Sequence, residues 1–160
     1  MVIYAFGVLF GFAVIHCWYI EWRSSMRLED LEIYQIAMSI GEKLWLIVDE
    51  WNYFAKDTVG KQLVRAADSI AANISEGFGR YHYKETRQFS YFSRGSLFET
   101  KTWLQKGYQR KLIVAEDYSE LLNLTDVLGI KLNNYIKSLN KLLNKANLPV
   151  TKTMNNDEVK

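Results

Sequence analysis

The sequence predicts an all-α fold, an antiparallel up-down-up-down four-helix bundle with an additional apolar helical segment at its N-terminus. Three observations carry this. Apolar residues recur at spacings of three and four through four long stretches. Gly occurs nine times and Pro once in 160 residues, too few turn residues for a strand-rich fold. The links between stretches are short, about four, seven and six residues, so neighbouring helices must fold back on one another.

The chain divides into an apolar leader over residues 1–25, the bundle over 26–147 and a polar tail over 148–160, predicted to be disordered. Val2 to Ile20 holds no Asp, Glu, Lys or Arg, the length of a membrane-spanning helix. It lacks the features of a cleavable signal, having no basic residue before the run and no small-x-small site after it. Two readings stand. Either the leader is an uncleaved anchor, or translation starts at Met26 and the upstream stretch is an artefact of start-site choice.

The first helix is predicted over Leu28 to Phe54. Ile33, Ala37, Ile40, Leu44, Ile47, Trp51 and Phe54 form one stripe, and Tyr34, Met38, Gly41, Trp45 and Val48 a second beside it. So wide an apolar face fits a deeply inserted helix or one that also meets another subunit. The second helix runs from Thr58 to Glu76, with Asp57 or Thr58 as N-cap and Val59, Leu63, Ala66, Ile70 and Ile74 facing the core. Gly77 and Gly79 are expected to end it in left-handed conformations. The third spans Lys84 to Gln109, with Phe89, Phe92, Phe98, Trp103 and Leu104 as its large apolar members and Gly107 fraying its end. In the fourth, Asp117 to Lys145, a heptad pattern joins Leu121, Leu128, Leu132, Tyr135, Leu139 and Leu142, with Thr125 filling one step.

Composition excludes several chemistries. Cys17 is the single cysteine, so neither an internal disulfide nor a cysteine-based zinc site can form. The two histidines, His16 and His82, sit in the leader and in a link. No Glu-x-x-His pair supports a di-iron bundle, and Gly77-Phe78-Gly79 lacks the spacing of a phosphate-binding loop. No cofactor and no metal is called for, and no catalytic residue is assigned.

Polar residues fall where a bundle prefers apolar ones. Gln62, Arg65, Ser69, Asn73 and Glu76 line the second helix, and Glu99 falls on the Phe89-Phe92-Ser96-Trp103 stripe of the third. A carboxylate on a core line needs partners, so these six residues are expected to form a polar network between the two helices or across a subunit boundary. Glu76 and Glu99 as an acid-base pair is the weaker reading, since nothing completes a reaction centre around them.

Net charge is +2, unevenly spread. Residues 27–57 hold three basic and seven acidic residues, and residues 81–111 hold seven basic and two acidic. Arg80, Lys84, Arg87, Arg94, Lys101 and Arg110, with Tyr81, Tyr83 and Tyr91 between them, could neutralise phosphates while the rings stack on bases. The competing reading is a solvated face paired with the acidic first helix.

From Gln62 to Arg80 the chain reads QLVRAADSIAANISEGFGR, and from Arg94 to Thr100 RGSLFET. These two elements resemble the bacterial four-helix-bundle family that includes proteins encoded in intervening sequences of large-subunit ribosomal RNA genes. The chain is also similar to the accessory variability protein of diversity-generating retroelements. A proline often found after the Ser-Ile pair is Ala71 here. The resemblance implies a non-catalytic bundle assembled as a ring, typically a homopentamer. In the retroelement branch it implies binding of RNA or DNA and of a reverse transcriptase through a basic surface. The expected function is thus an oligomeric, cytoplasmic binding module. The alternative is a structural or protein-interaction ring, membrane-anchored through residues 2–20 if the leader is real.

Overall fold

The first turn begins where Arg27 and Asp30 clasp each other. In the computed structural model, which describes residues 27–146, the Arg27 Nη2 donates to Asp30 Oδ1 at 3.1 Å and its backbone N–H to Oδ2 at 3.3 Å. These bonds hold the Asp30 carboxyl below the usual carboxylate range. A 3₁₀ turn over Leu28–Asp30 follows, and then four long helices: α1 (Glu32–Asp49), α2 (Lys61–Gly79), α3 (Tyr83–Gln109) and α4 (Ala115–Ala146). Strands are absent among the described residues. Residues 1–25 and 148–160, the leader and the tail, lie outside the described residues.

Each helix packs on its sequence neighbours, and α1 also packs on α4, so α1 and α3 sit diagonally across the core. Ile40, Leu44, Leu63, Ile70, Leu97, Leu104, Leu128 and Leu132 fill that core, each at most 2% exposed. Burying one such side chain contributes about 1.5–3 kcal/mol.

Several details depart from the periodicity. The first helix stops at Asp49 rather than running to Phe54, which is 76% exposed. The stop coincides with Asn52, whose side chain accepts the Ala55 backbone N–H at 3.0 Å and caps a new helical turn, Tyr53–Ala55. That turn continues through a π-helical turn, Lys56–Gly60, into α2, so Asn52 takes the capping role expected of Asp57 or Thr58. Gly60 permits this sharp entry: a Cβ there would lie 2.6 Å from the Val48 Cγ1.

The glycines at the end of α2 are also used differently. Neither has positive φ. Gly77 is buried, and a Cβ on it would lie 2.9 Å from the Phe89 Cβ and 3.2 Å from the Thr86 carbonyl oxygen. Its missing side chain is what lets α3 approach. Gly107 likewise faces Ile113, whose Cδ1 would be 2.8 Å from an added Cβ, so it packs the end of α3 instead of fraying it. The reversal into α4 falls at Lys111, with φ of 59°.

The largest departure is the face of α3. Its buried residues are Thr86, Ser90, Ser93, Leu97, Thr100, Leu104 and Gly107, one position off the expected aromatic stripe. Hydroxyls can line a core when they bond to nearby carbonyls. Ser90 donates to the Thr86 oxygen at 2.7 Å and Thr100 to the Ser96 oxygen at 2.8 Å. Ser93 reaches across the seam to the Ile70 carbonyl of α2 at 2.9 Å. Small side chains here let α2 and α3 pack closely, and they turn Phe92 and Phe98 outward, 49% and 62% exposed. On α4 the heptad stripe holds through Leu121, Thr125, Leu128, Leu132 and Leu139, with Ile136 rather than Tyr135 buried.

Candidate nucleic-acid interface

The expected network between α2 and α3 is reduced to one cross-helix hydrogen bond. Asn73 Nδ2 donates to the Ser69 carbonyl at 2.7 Å and reaches the Ser96 Oγ at 3.5 Å. Ser69 bonds within its own helix, to the Arg65 carbonyl at 2.7 Å. Gln62 is half-buried, and Arg65 is exposed. Glu99 is exposed, one position off the buried stripe, and accepts the Trp103 indole N–H of its own helix at 3.4 Å. It therefore needs no buried cation. Glu76 is exposed and pairs with Arg80 one turn on.

The cations of α3 are partitioned by the register of α3 against α4. The Arg87 guanidinium donates to the Asn140 side-chain oxygen at 3.0 Å, and that of Arg94 to Asn133 at 3.2 Å. Lys101 pairs with Asp126. Each rung lies seven residues further along α3 and seven back along α4, a heptad ladder between antiparallel helices. These three basic residues thus bind α4, not the acidic α1. Glu32 and Lys43 of α1 make a second pair of rungs to α4: Glu32 with Lys131 at 2.7 Å and Lys43 with Glu120 at 2.5 Å. The reason is topological, since α1 and α3 lie diagonally and share α4 as a neighbour.

Of the other residues expected to meet phosphate, Arg80 stacks over the Phe89 ring at 4.9 Å while pairing with Glu76. Lys84 and Arg110 are exposed at opposite ends of α3. Sequence reasoning missed the residues that the ladder brings beside Lys84. Continued one turn past Arg87–Asn140, the same register places Lys84 level with the α4 segment between Lys141 and Lys145. Lys137, Lys141 and Lys145 recur every four residues, all exposed. From Val127 to Ala146, α4 has four lysines and no acidic residue, whereas Ala115 to Asp126 has four acidic residues and no basic one. That polarity suits the helix dipole. It also gathers positive charge at the end of the bundle where α3 starts and α4 finishes. Tyr81, 82% exposed, projects at the same end with the His82 ring edge-on to it at 4.9 Å. The same end also holds the exposed carboxylates Glu85, Glu76, Glu29 and Asp30, of which Glu76 pairs with Arg80 and Asp30 with Arg27. The missed signal was the charge asymmetry within the fourth helix.

No described helix is long and apolar enough to cross a membrane. Among the described residues, no three His, Cys, Asp or Glu side chains are grouped to hold a metal ion.

Fold and seams together define an antiparallel four-helix bundle with a lysine-rich end. The chain belongs to the family of 23S rRNA-intervening sequence proteins, whose family model matches residues 29–134. Its fold is similar to the crystal structure of a protein of unknown function from the S23 ribosomal protein family of Bacteroides thetaiotaomicron. That similarity has a TM-score of 0.59 and 19% identity, and it covers 66% of this chain and 98% of the other. No curated protein matches the chain.

Proposed function

We propose that this protein is a non-catalytic, oligomeric binding module that holds structured RNA or DNA, or a ribonucleoprotein partner, on its lysine-rich end. The observation that carries the reading is the alignment of Lys84 with Lys141 and Lys145 by the α3–α4 ladder. Exposed lysines on successive helical turns can neutralise neighbouring phosphates, and each phosphate neutralised releases counterions. The exposed Tyr81 ring offers a stacking surface beside them. The interface therefore moves from the middle of α3, where Arg87, Arg94 and Lys101 are engaged with α4, to the end of the bundle. A reverse-transcriptase-like protein partner, as the resemblance to the retroelement accessory protein implies, and a cytoplasmic location belong to the same proposal. Retention of a structured RNA at low salt, lost as salt is raised, tests it. A folded protein that retains no RNA at low salt would reject it.

A second reading is a structural or protein-interaction ring. It is favoured by the exposed apolar residues Trp45, Phe92 and Phe98, which nucleic-acid binding at the lysine-rich end leaves unused.

A further inference from the structure

The outward face of α3 carries Phe92 and Phe98 on either side of Gly95. A Cβ on Gly95 would meet nothing within 4 Å. Glycine inside a helix weakens it relative to alanine, and at Gly77 close packing explains the choice. At Gly95 no neighbour within the chain does. Two exposed rings bracketing bare backbone make a surface suited to close approach by another element.

A matching surface lies along the seam of α1 and α2. Two hollows of about 450 and 400 Å³ run end to end there and share Asp68 as a wall. The first is lined by Trp45, Val48, Gly60 and Val64, the second by Met38, Gly41 and Ala71. A cavity of about 150 Å³ already admits a benzene ring. Phe92 and Phe98 are about 9 Å apart along the helix and lie about 60° to either side of Gly95, so the two rings can straddle the groove while the bare backbone between them closes on it. Trp45 and Met38, 57% and 41% exposed, form the outer wall.

Charge favours the same pairing. Glu42 and Asp68 face the second hollow, and no basic residue lines it. Partial desolvation at the wall of the hollow, and then the neighbouring Glu42, raise the Asp68 carboxyl above its ordinary range. Lys56, Lys61 and Arg65 flank the first hollow, where Lys56 pairs with Asp49. Beside Phe98 stands Arg94, whose partners, the Asn133 amide and the Tyr91 ring, carry no charge.

We propose that the Phe92–Gly95–Phe98 face of one copy docks into the α1–α2 groove of a second copy, with Arg94 brought towards Glu42 and Asp68. This rests on the oligomeric reading above and specifies its faces. Because the two surfaces differ, the association is head-to-tail and leaves a free face on each end of a pair, so it builds a ring or an open chain rather than a simple twofold dimer.

The test uses two surface variants of the full chain, Phe98→Glu and Trp45→Glu, with helicity checked by circular dichroism and mass read by light scattering. Wild type is expected to exceed the monomer mass, and each variant to fall to it while staying helical. Phe98→Glu keeps an intact groove and Trp45→Glu an intact ridge. Mixing the two monomers should therefore give a one-to-one dimer that grows no further. An oligomeric wild type whose variants keep their mass overturns the assignment of faces and leaves the oligomeric reading standing. Monomeric variants that fail to pair on mixing overturn the head-to-tail geometry. A monomeric wild type overturns both this inference and the oligomeric reading.

Discussion

The Arg94 guanidinium donates to the Asn133 side-chain oxygen at 3.2 Å while its own carbon lies 4.9 Å over the Tyr91 ring. It is the middle rung of the ladder that sets α3 against α4, and Arg94 belongs to the RGSLFET element of the sequence. A residue expected to touch phosphate thus fixes the helix register. That register in turn decides which lysines meet at the end of the bundle.

Removing the acceptor should expose this role. Asn133→Ala leaves a half-buried guanidinium with one partner fewer, at a cost of about 0.5–1.5 kcal/mol. The urea midpoint would fall with an unchanged slope. A double cycle with Arg94→Gln should show coupling between the two sites, and strict additivity would contradict the rung.

Two glycines, one in the QLVRAADSIAANISEGFGR element and one in RGSLFET, should respond oppositely to alanine. Gly77→Ala places a Cβ 2.9 Å from Phe89 and 3.2 Å from a backbone oxygen. The resulting overpacking should destabilise by about 1–3 kcal/mol, exceeding alanine's better helix propensity. Gly95→Ala meets open space within the chain and should stabilise the monomer by about 1 kcal/mol. Thermal melts of dilute protein separate the two signs.

The contrast also shows how far the sequence could be read. Four amphipathic helices were legible because Ile33, Ala37, Ile40 and Leu44, or Leu121, Leu128 and Leu132, announce buried faces by hydropathy and spacing alone. The buried face of α3 was not. Thr86, Ser90, Ser93 and Thr100 look like surface residues until their hydroxyls find carbonyls, and the bulkier phenylalanines one position away gave a misleading stripe. The break after Asp49 contains no Gly or Pro, and only the Asn52 cap marks it. Of the interface, the basic residues of α3 were visible, but their partition depends on pairing with α4, which no local pattern contains.

The turn between α3 and α4 offers a gain in stability. Lys111 holds φ at 59°, a left-handed conformation that costs a residue with a Cβ about 1–2 kcal/mol. Lys111→Gly should raise stability by roughly 0.5–1 kcal/mol after glycine's own entropic cost. A lowered melting temperature would contradict this account of the turn.

Stability should also carry a pH signature from Asp68. Its folded-state carboxyl titrates above its unfolded value, because partial desolvation and Glu42 disfavour the charged form. The folded state then binds more protons than the unfolded one as pH falls through this range, so protonating Asp68 favours folding and ionising it is a penalty at neutral pH. Asp68→Asn should therefore stabilise the monomer near pH 7, with the advantage over wild type vanishing below the ordinary carboxylate range. Denaturant midpoints of dilute protein at several pH values would check it, and a difference independent of pH would contradict it.

In the proposed function, the α3–α4 register builds a phosphate-binding end from Lys84, Lys137, Lys141 and Lys145. The direct measurement is the salt dependence of binding to a structured RNA, for wild type and for the combined Lys137→Gln, Lys141→Gln and Lys145→Gln variant. The log–log slope should flatten in the variant by about 0.7–0.9 for each phosphate it no longer neutralises. A folded variant with the slope and affinity of wild type would contradict the account.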